Sequence, residues 1–378
     1  MNSEMRFIAT CKLGLESVVA GELRALGIEV ESVSDARIVF RGGFDAMARA
    51  CLWLRTAERV LMIVGEFTAL TFEELYNGVR AVRWRDYIAR DNFIHVNGKS
   101  AKSRLFAVSD CQRIAKKAIV DSLFEAYHTS SLPETGSEII VEVGLLRDAV
   151  TVCLDCCGAG LSRRGYRTWN VAAPIAETLG AAIVMLAKYR GDVPLMDPMC
   201  GSGTLPIEAA MIATRTAPGL NRAFAAESWR FMDGDPFGAA REQARDERID
   251  AKLQILGSDI DPHAIDICRK HAKKAGVDPA FKVCPLSEFK AEYEGGIIVC
   301  NPPYGERLLE KREAESLYVQ MRKVFDPLTH WDKNIITSHR DFERIYGKKA
   351  DRRRKLTNGG MVCTLYRFFA EEGFIKPQ

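Results

Sequence analysis

At 378 residues the chain is long enough for two or more domains, and its 47% hydrophobic and 27% charged residues are the composition of a globular protein with a sizeable core. A net charge of +3 is too small to argue for nucleic acid, so any such case rests on local clusters. The first residues lack a basic stretch followed by an apolar one, no apolar run approaches the ~20 residues of a membrane span, and the 11 cysteines sit in apolar contexts, so a reduced, cytoplasmic protein without a membrane partner is expected.

The chain opens with a strand-like run at 6–11. Leu15, Val18, Val19, Leu23 and Leu26 then recur at helical spacing and are closed by Gly27. Strands at 28–34 and 37–41, a helix at 45–55 and a strand at 59–66 complete a small α+β layer. Leu70, Phe72, Leu75 and Val79 predict a further helix, and 93–97 a strand. The stretch from Gly98 to Arg104 reads as a small basic loop, with Lys99, Lys102 and Arg104, opening a helix at 109–127 with Ser109 or Asp110 as its N-cap. Such a loop suits phosphate, and reads equally well as a solvated turn. Strands at 138–144 and 149–155 close the region. Cys153 and Cys156 form a C-x-x-C, but on a strand-like run such residues face opposite ways and no second pair stands at zinc spacing; no metal is expected.

Residues 156–173 read as a linker in which Arg163, Arg164 and Arg167 surround Tyr166, a set that can hold phosphates and stack on a base. From 174 onward strand and helix patterns alternate, as in a doubly wound domain, with a long polar insert at 215–250. Asp197 ends the first strand and is followed by Pro198-Met199-Cys200-Gly201-Ser202-Gly203, with Thr204 starting a helix. A third glycine is missing from the dinucleotide pattern, Pro206 standing in its place. An acid before the glycine loop suits an ammonium group, the loop N–H groups suit a carboxylate, and Asp259 at the second strand tip suits ribose hydroxyls. Those features fit S-adenosylmethionine (SAM).

The stretch Val299-Cys300-Asn301-Pro302-Pro303-Tyr304-Gly305-Glu306-Arg307 follows an apolar run of the kind buried on both faces. The Asn301 amide oxygen and the Pro302 carbonyl are two acceptors beside the flat face of Tyr304, an arrangement that suits an exocyclic NH₂ on a planar ring. Farther on, residues 340–355 hold eight Lys and Arg against three Asp and Glu, or +5, which exceeds the net charge of the chain. Arg352, Arg353 and Arg354 belong to this cluster, for which RNA contact and protection of a sheet edge are the two readings. A hairpin turn is expected at Asn358-Gly359.

Together, the Asp197 to Thr204 loop, Gly257-Ser258-Asp259-Ile260-Asp261 and the Asn301 stretch resemble the motifs of class I SAM-dependent amino-methyltransferases. Residues 161–167, 173–179, 218–222 and 352–359 narrow the resemblance to bacterial RNA guanine-N2 methyltransferases with a THUMP domain. It covers nearly the whole chain. It implies an α/β fold: a Rossmann-like doubly wound methyltransferase domain (174–378), preceded by an α+β ferredoxin-like region (1–60) and a THUMP RNA-binding domain (44–155). It further implies SAM as cofactor, held by Asp197, Met199, Gly201, Gly203, Thr204, Asp259, Ile260 and Asn301. Catalysis would rest on Asn301, Pro302, Pro303 and Tyr304, and the substrate would be 23S rRNA, free or in a pre-ribosomal particle, with tRNA guanine the nearest relative activity. There is one departure. The family often places an acid near the adenine amine after the third strand, whereas here no acid appears until Glu288, so backbone groups and Ile260 are expected to hold the adenine.

Overall fold

The computed structural model describes residues 5–168, 175–304 and 308–371. Ala173, Pro174, Gly305, Glu306 and Arg307 of the motifs above lie outside the described residues. The chain divides into two units, one of Met1–Thr10, Ala20–Leu161 and Ala223–Glu242, the other of Cys11–Val19, Ser162–Arg222 and Gln243–Gln378.

The first unit is built on β1 (Met5–Cys11), all but the first turn of α1 (Glu16–Ala25), β2 (Glu29–Ser34), β3 (Arg37–Gly42), α2 (Phe44–Trp53), β4 (Ala57–Thr68), α3 (Phe72–Arg80), β5 (Phe93–Ala101), α4 (Val108–Tyr127), β6 (Glu138–Leu146) and β7 (Ala149–Asp155). Its sheet has seven strands in the order β2-β3-β1-β4-β7-β6-β5. Local chemistry sets several boundaries. Thr71 caps α3 by accepting from the Glu74 N–H at 3.2 Å, while the Glu74 carboxylate accepts from the Thr71 N–H at 3.3 Å. Arg147 and Asp148, at φ 52° and 67°, form the two-residue turn between β6 and β7. The region expected to be a basic loop is different. Gly98 to Ala101 continue β5, paired in parallel with β6 through nine residues, and α4 starts at Val108 with Ala107 as a cap that has no side-chain bond. Continuous pairing outweighs the poor strand preference of Gly98, where a Cβ would stand 2.8 Å from Gln112 Cγ on α4 and force that side chain to move.

The second unit carries α5 (Glu177–Leu186), β8 (Leu195–Asp197), α6 (Thr204–Ala213), the last turn of α7 (Pro236–Asp246), β9 (Ile255–Asp259), α8 (Pro262–Ala275), β10 (Ala280–Val283), β11 (Gly296–Cys300), α9 (Leu308–Phe325), β12 (Trp331–Thr337), α10 (Phe342–Tyr346), β13 (Arg352–Asn358) and β14 (Met361–Phe368). The strand order is β10-β9-β8-β11-β12-β14-β13, parallel from β10 to β12 and antiparallel beyond. Every residue of β11 and β12 is buried, as expected of central strands covered on both faces. The core beside them is aromatic, with Tyr318 and Phe325 of α9, Trp331 of β12, Phe342 and Tyr346 of α10, and Phe368 of β14. The last hairpin turns one residue later than expected. Asn358 pairs with Met361, so Gly359 and Gly360, at φ 54° and 89°, form the turn. Two glycines meet the demand of such a turn for positive φ at both positions better than Asn358-Gly359 would.

The stretch expected as a polar insert is also more ordered than its composition suggests. Residues 223–242 belong to the first unit, where the Ala226 N–H donates to the Cys156 carbonyl at 3.1 Å. Arg230 forms a two-pronged pair with Asp91 at 2.8 and 2.9 Å, and Phe231 packs against Tyr87, Phe44 and Trp229. No helix among the described residues is long and apolar enough to cross a membrane.

Candidate active site

Three adjacent strands bring the site together. β9, β8 and β11 run parallel, with Asp197 level with Gly257 and Met196 level with Ile298. Asp197 and Asp259 therefore end neighbouring strands on one edge of the sheet, and Asn301 is the first residue past β11 on that edge. Asp197 is 1% exposed and accepts from the Met199 N–H at 3.2 Å. Burial, joined by the charge of Asp259, holds its carboxyl well above the usual carboxylate range. A group in that state gains most from a cation brought beside it.

The loop after β8 is shaped by its glycines. Gly201, at φ 51°, donates its N–H to Asp259 Oδ2 at 2.9 Å, and Asp259 Oδ1 accepts from the Asp261 N–H at 3.1 Å. Gly203 combines φ 81° with a position where a Cβ would lie 3.0 Å from Cys268 Sγ, so no other residue fits without a shift. Asp259 thus links the loop to the second strand tip. Ile260 stands 71% exposed beside it, and Val283, at the end of the adjacent β10, is exposed as well. Thr204 begins α6 but is buried, and its hydroxyl accepts from Arg167 at 2.7 Å. A buried carboxyl, a glycine cradle and an apolar plate are groups that could hold the ammonium, carboxylate and adenine of SAM. Asp259→Ala is expected to weaken SAM binding by about 1.5–3 kcal/mol, roughly 10- to 100-fold in Kd, the scale of lost hydrogen bonds to a charged group. Unchanged affinity by titration calorimetry would remove Asp259 from the ribose role.

Beyond β11, Pro302 is buried, Pro303 exposed, and Asn301 and Tyr304 half-buried. The Tyr304 hydroxyl donates to Asn301 Oδ1 at 2.5 Å. The acceptor expected to meet a substrate amine is therefore occupied by a neighbouring O–H in this conformation. Tyr304 lies folded toward Asn301 instead of standing clear as a stacking plate. Burial raises the Tyr304 hydroxyl far above its ordinary value, so it remains a donor.

The basic residues singled out by the sequence separate into two groups. Lys99, Lys102, Arg104, Arg163 and Arg352 are exposed. Lys99 is 4.0 Å from Glu142, and the Arg104 backbone N–H is fixed by Asp148 at 2.7 Å. Arg164 and Arg167, with Tyr166 between them, are engaged internally. Arg164, expected to hold phosphate, is 3% exposed and pairs with the buried Glu208 at 3.4 Å, and Tyr166, expected to stack on a base, is buried with its hydroxyl 3.2 Å from the same carboxylate. Arg167 donates to the Ile175 carbonyl at 2.8 Å and to Thr204, and lies 3.4 Å from Glu177. Glu208 lies 44 residues along the chain from Arg164, so that neutralising partner was invisible to a local reading, whereas Glu177 follows Arg167 closely. Arg353 pairs with Glu343 at 2.6 Å, and Arg354 donates to the Gly14 carbonyl at 2.7 Å and Ser17 Oγ at 3.2 Å. β13 is the edge strand of its sheet, which agrees with the protective reading of these arginines. One side chain passed over earlier is Phe106, 81% exposed two residues past Arg104. An aromatic interleaved with basic residues was the available signal.

A sheet in this order, with a glycine loop after its first strand and an Asn-Pro-Pro-Tyr loop after its fourth, is the build of a class I SAM-dependent methyltransferase. Comparison with known proteins agrees. Residues 164–367 match the family model described as RMKL-like, methyltransferase domain, residues 6–61 match the RlmL ferredoxin-like domain, and residues 69–155 match the THUMP domain. The chain is 43% identical over 376 residues to YpsC of Bacillus subtilis (strain 168), provisionally named an RNA methyltransferase, covering 98% of this chain and 97% of that one. A crystal structure of SMU.472, provisionally named a methyltransferase and complexed with SAH, is 41% identical with a TM-score of 0.92, covering 99% of this chain and 100% of that one. Ribosomal RNA large subunit methyltransferase K/L of Syntrophotalea carbinolica is 36% identical over 99% of this chain, which spans only 55% of that relative. The chain belongs to the RMKL-like methyltransferase family, in the form that carries ferredoxin-like and THUMP domains ahead of the catalytic one. It is a SAM-dependent RNA methyltransferase.

Proposed function

We propose that this chain methylates the exocyclic N2 of a guanine in RNA, and that the RNA is 23S rRNA. The carrying observation is the Asn301 to Tyr304 loop, set at the tip of β11 on the edge that also holds Asp197 and Asp259. SAM, when bound, supplies a methyl group on a positively charged sulfur. The lone pair of an aryl amine is delocalised into its ring. Asn301 Oδ1 and the Pro302 carbonyl accept the two amine hydrogens and draw the nitrogen toward a tetrahedral geometry, so the protein acts by position and electrostatics without a covalent intermediate. The amine takes over the acceptor now used by the Tyr304 hydroxyl. Tyr304, released from it, offers its ring to the base and offsets part of the few kcal/mol that flipping a paired guanine costs. On the RNA side, Lys99, Lys102 and Arg104 supply charge for phosphates, with Phe106 as a face for an unpaired base.

The choice of guanine N2 rests on the resemblance of residues 161–167 and 352–359 to that group of enzymes, and the choice of 23S rRNA on the name of the K/L relatives. Methylation of a tRNA guanine is the alternative. A protein-glutamine methyltransferase shares Asn-Pro-Pro-Tyr, because a carboxamide NH₂ is also planar, but the THUMP match and the seven-stranded first sheet count against a protein substrate. Mass-spectrometric nucleoside analysis of RNA from a deletion strain tests the reading. Loss of one N2-methylguanosine from 23S rRNA is expected. Its loss from tRNA instead would move the substrate, and loss of N6-methyladenosine, or of nothing, would overturn the guanine assignment.

A further inference from the structure

Two consecutive prolines leave the catalytic loop short of anchors. Neither Pro302 nor Pro303 has an N–H, so between Asn301 and Tyr304 the backbone can be pinned only through its carbonyls. If the Pro302 carbonyl is reserved for the substrate, the Pro303 carbonyl is the remaining handle. It is taken. Tyr318 Oη on α9 donates to the Pro303 carbonyl at 3.0 Å.

Tyr318 is itself held on every side. It is fully buried, with its ring edge-on to His339 at 5.7 Å and to Phe342 at 5.0 Å. Its hydroxyl also lies 3.0 Å from Thr337 Oγ1 at the end of β12, and Thr337 Oγ1 accepts from the His339 N–H at 3.0 Å. The directions of these bonds follow from one end. A carbonyl has no proton, so Tyr318 donates to Pro303. Its oxygen therefore accepts from the Thr337 hydroxyl, whose own oxygen accepts from a backbone N–H. Burial lifts the Tyr318 hydroxyl to about 12, so the donated proton stays in place at neutral pH. The relay runs from a strand tip that is fixed by the sheet to a loop whose two prolines offer no N–H.

We propose that Tyr318 is a positioning residue for methyl transfer: through Thr337 and the Pro303 carbonyl it fixes the peptide planes that present Asn301 and the Pro302 carbonyl to the substrate amine. The inference rests on the reading of that loop given above. A misplacement of about 1 Å in such a site costs on the order of 100-fold in rate, far more than a lost hydrogen bond would suggest.

The test is steady-state kinetics on Tyr318→Phe, which keeps the packed ring and removes only the hydroxyl. We expect kcat to fall about 10- to 100-fold, with SAM affinity and the KM for RNA within about twofold of the parent, as loss of orientation alone requires. Thr337→Val breaks the relay one bond upstream and should give a smaller fall in kcat, which Thr337→Ser restores. Wild-type kcat in Tyr318→Phe overturns the proposal. So does a parallel loss of SAM affinity, which would mark a merely structural role. Should Tyr318→Phe fail to fold, the Thr337 pair decides: equal kcat for Val and Ser overturns the proposal, and rescue by Ser upholds it. Asn301→Ala, assayed alongside, separates the two levels. Full activity there removes the reading of the loop itself, whereas an inactive Asn301→Ala beside an unimpaired Tyr318→Phe removes only the relay.

Discussion

Asn301→Ala is expected to lower turnover by more than ~100-fold, the scale of removing one well-placed hydrogen-bonding group from a reaction centre. The substitution deletes the acceptor at the tip of β11 and leaves the buried strand behind it unchanged. It also removes one of the partners of the Tyr304 hydroxyl, which Asn358 and Cys363 approach as well. The loss should appear in kcat and kcat/KM alike, because an acceptor that matters for the geometry of the reacting nitrogen contributes mainly in the transition state. Single-turnover methylation of RNA with labelled SAM measures this directly. Full turnover in the variant would leave the two-acceptor account without its principal member.

Glu208→Ala should cost about 3–5 kcal/mol of stability, the penalty for leaving a buried cation without its counter-charge. Arg164 and Glu208 are almost wholly inaccessible and 3.4 Å apart, and Tyr166 adds its hydroxyl to the same carboxylate. Replacing both charges, as in Arg164→Met with Glu208→Leu, should cost much less, because the desolvation of two ions disappears along with their attraction. Urea unfolding of Arg164→Met, Glu208→Leu and the double gives the coupling. A single Glu208→Ala that loses under about 1 kcal/mol would show the pair to be dispensable. Glu208 sits on α6, the helix that follows the glycine loop, so loss of the pair should also loosen that loop.

The parts legible in the sequence were those whose chemistry is local. A glycine loop after an acid, an acid at the next strand tip and two prolines after an apolar run each carry their meaning within a few residues, and all three stand on one edge of the sheet. The parts that escaped depend on partners far away in the chain. Arg164 and Tyr166 read as RNA-facing because three arginines and a tyrosine look polar in isolation, and only the tertiary fold supplies Glu208. Gly98 to Ala101 read as loop because Gly, Ser and Lys are poor strand formers, and nine pairs with β6 overrode that preference. The folded position of Tyr304 could not be read at all, since a side chain that caps its neighbour and one that awaits a base share the same letters.

The allegiance of residues 223–242 has a consequence for how this protein comes off the ribosome. The first unit lacks a piece of itself, with Trp229 and Phe237 in it, until synthesis has passed residue 242, well into the second. The second unit, conversely, waits for most of its length while holding on to Cys11–Val19, made at the outset. Neither half can finish in order of emergence. Nascent chains should therefore stay protease-sensitive over residues 20–161 until late in translation, and a gene split after codon 161 should yield two fragments that are each insoluble alone.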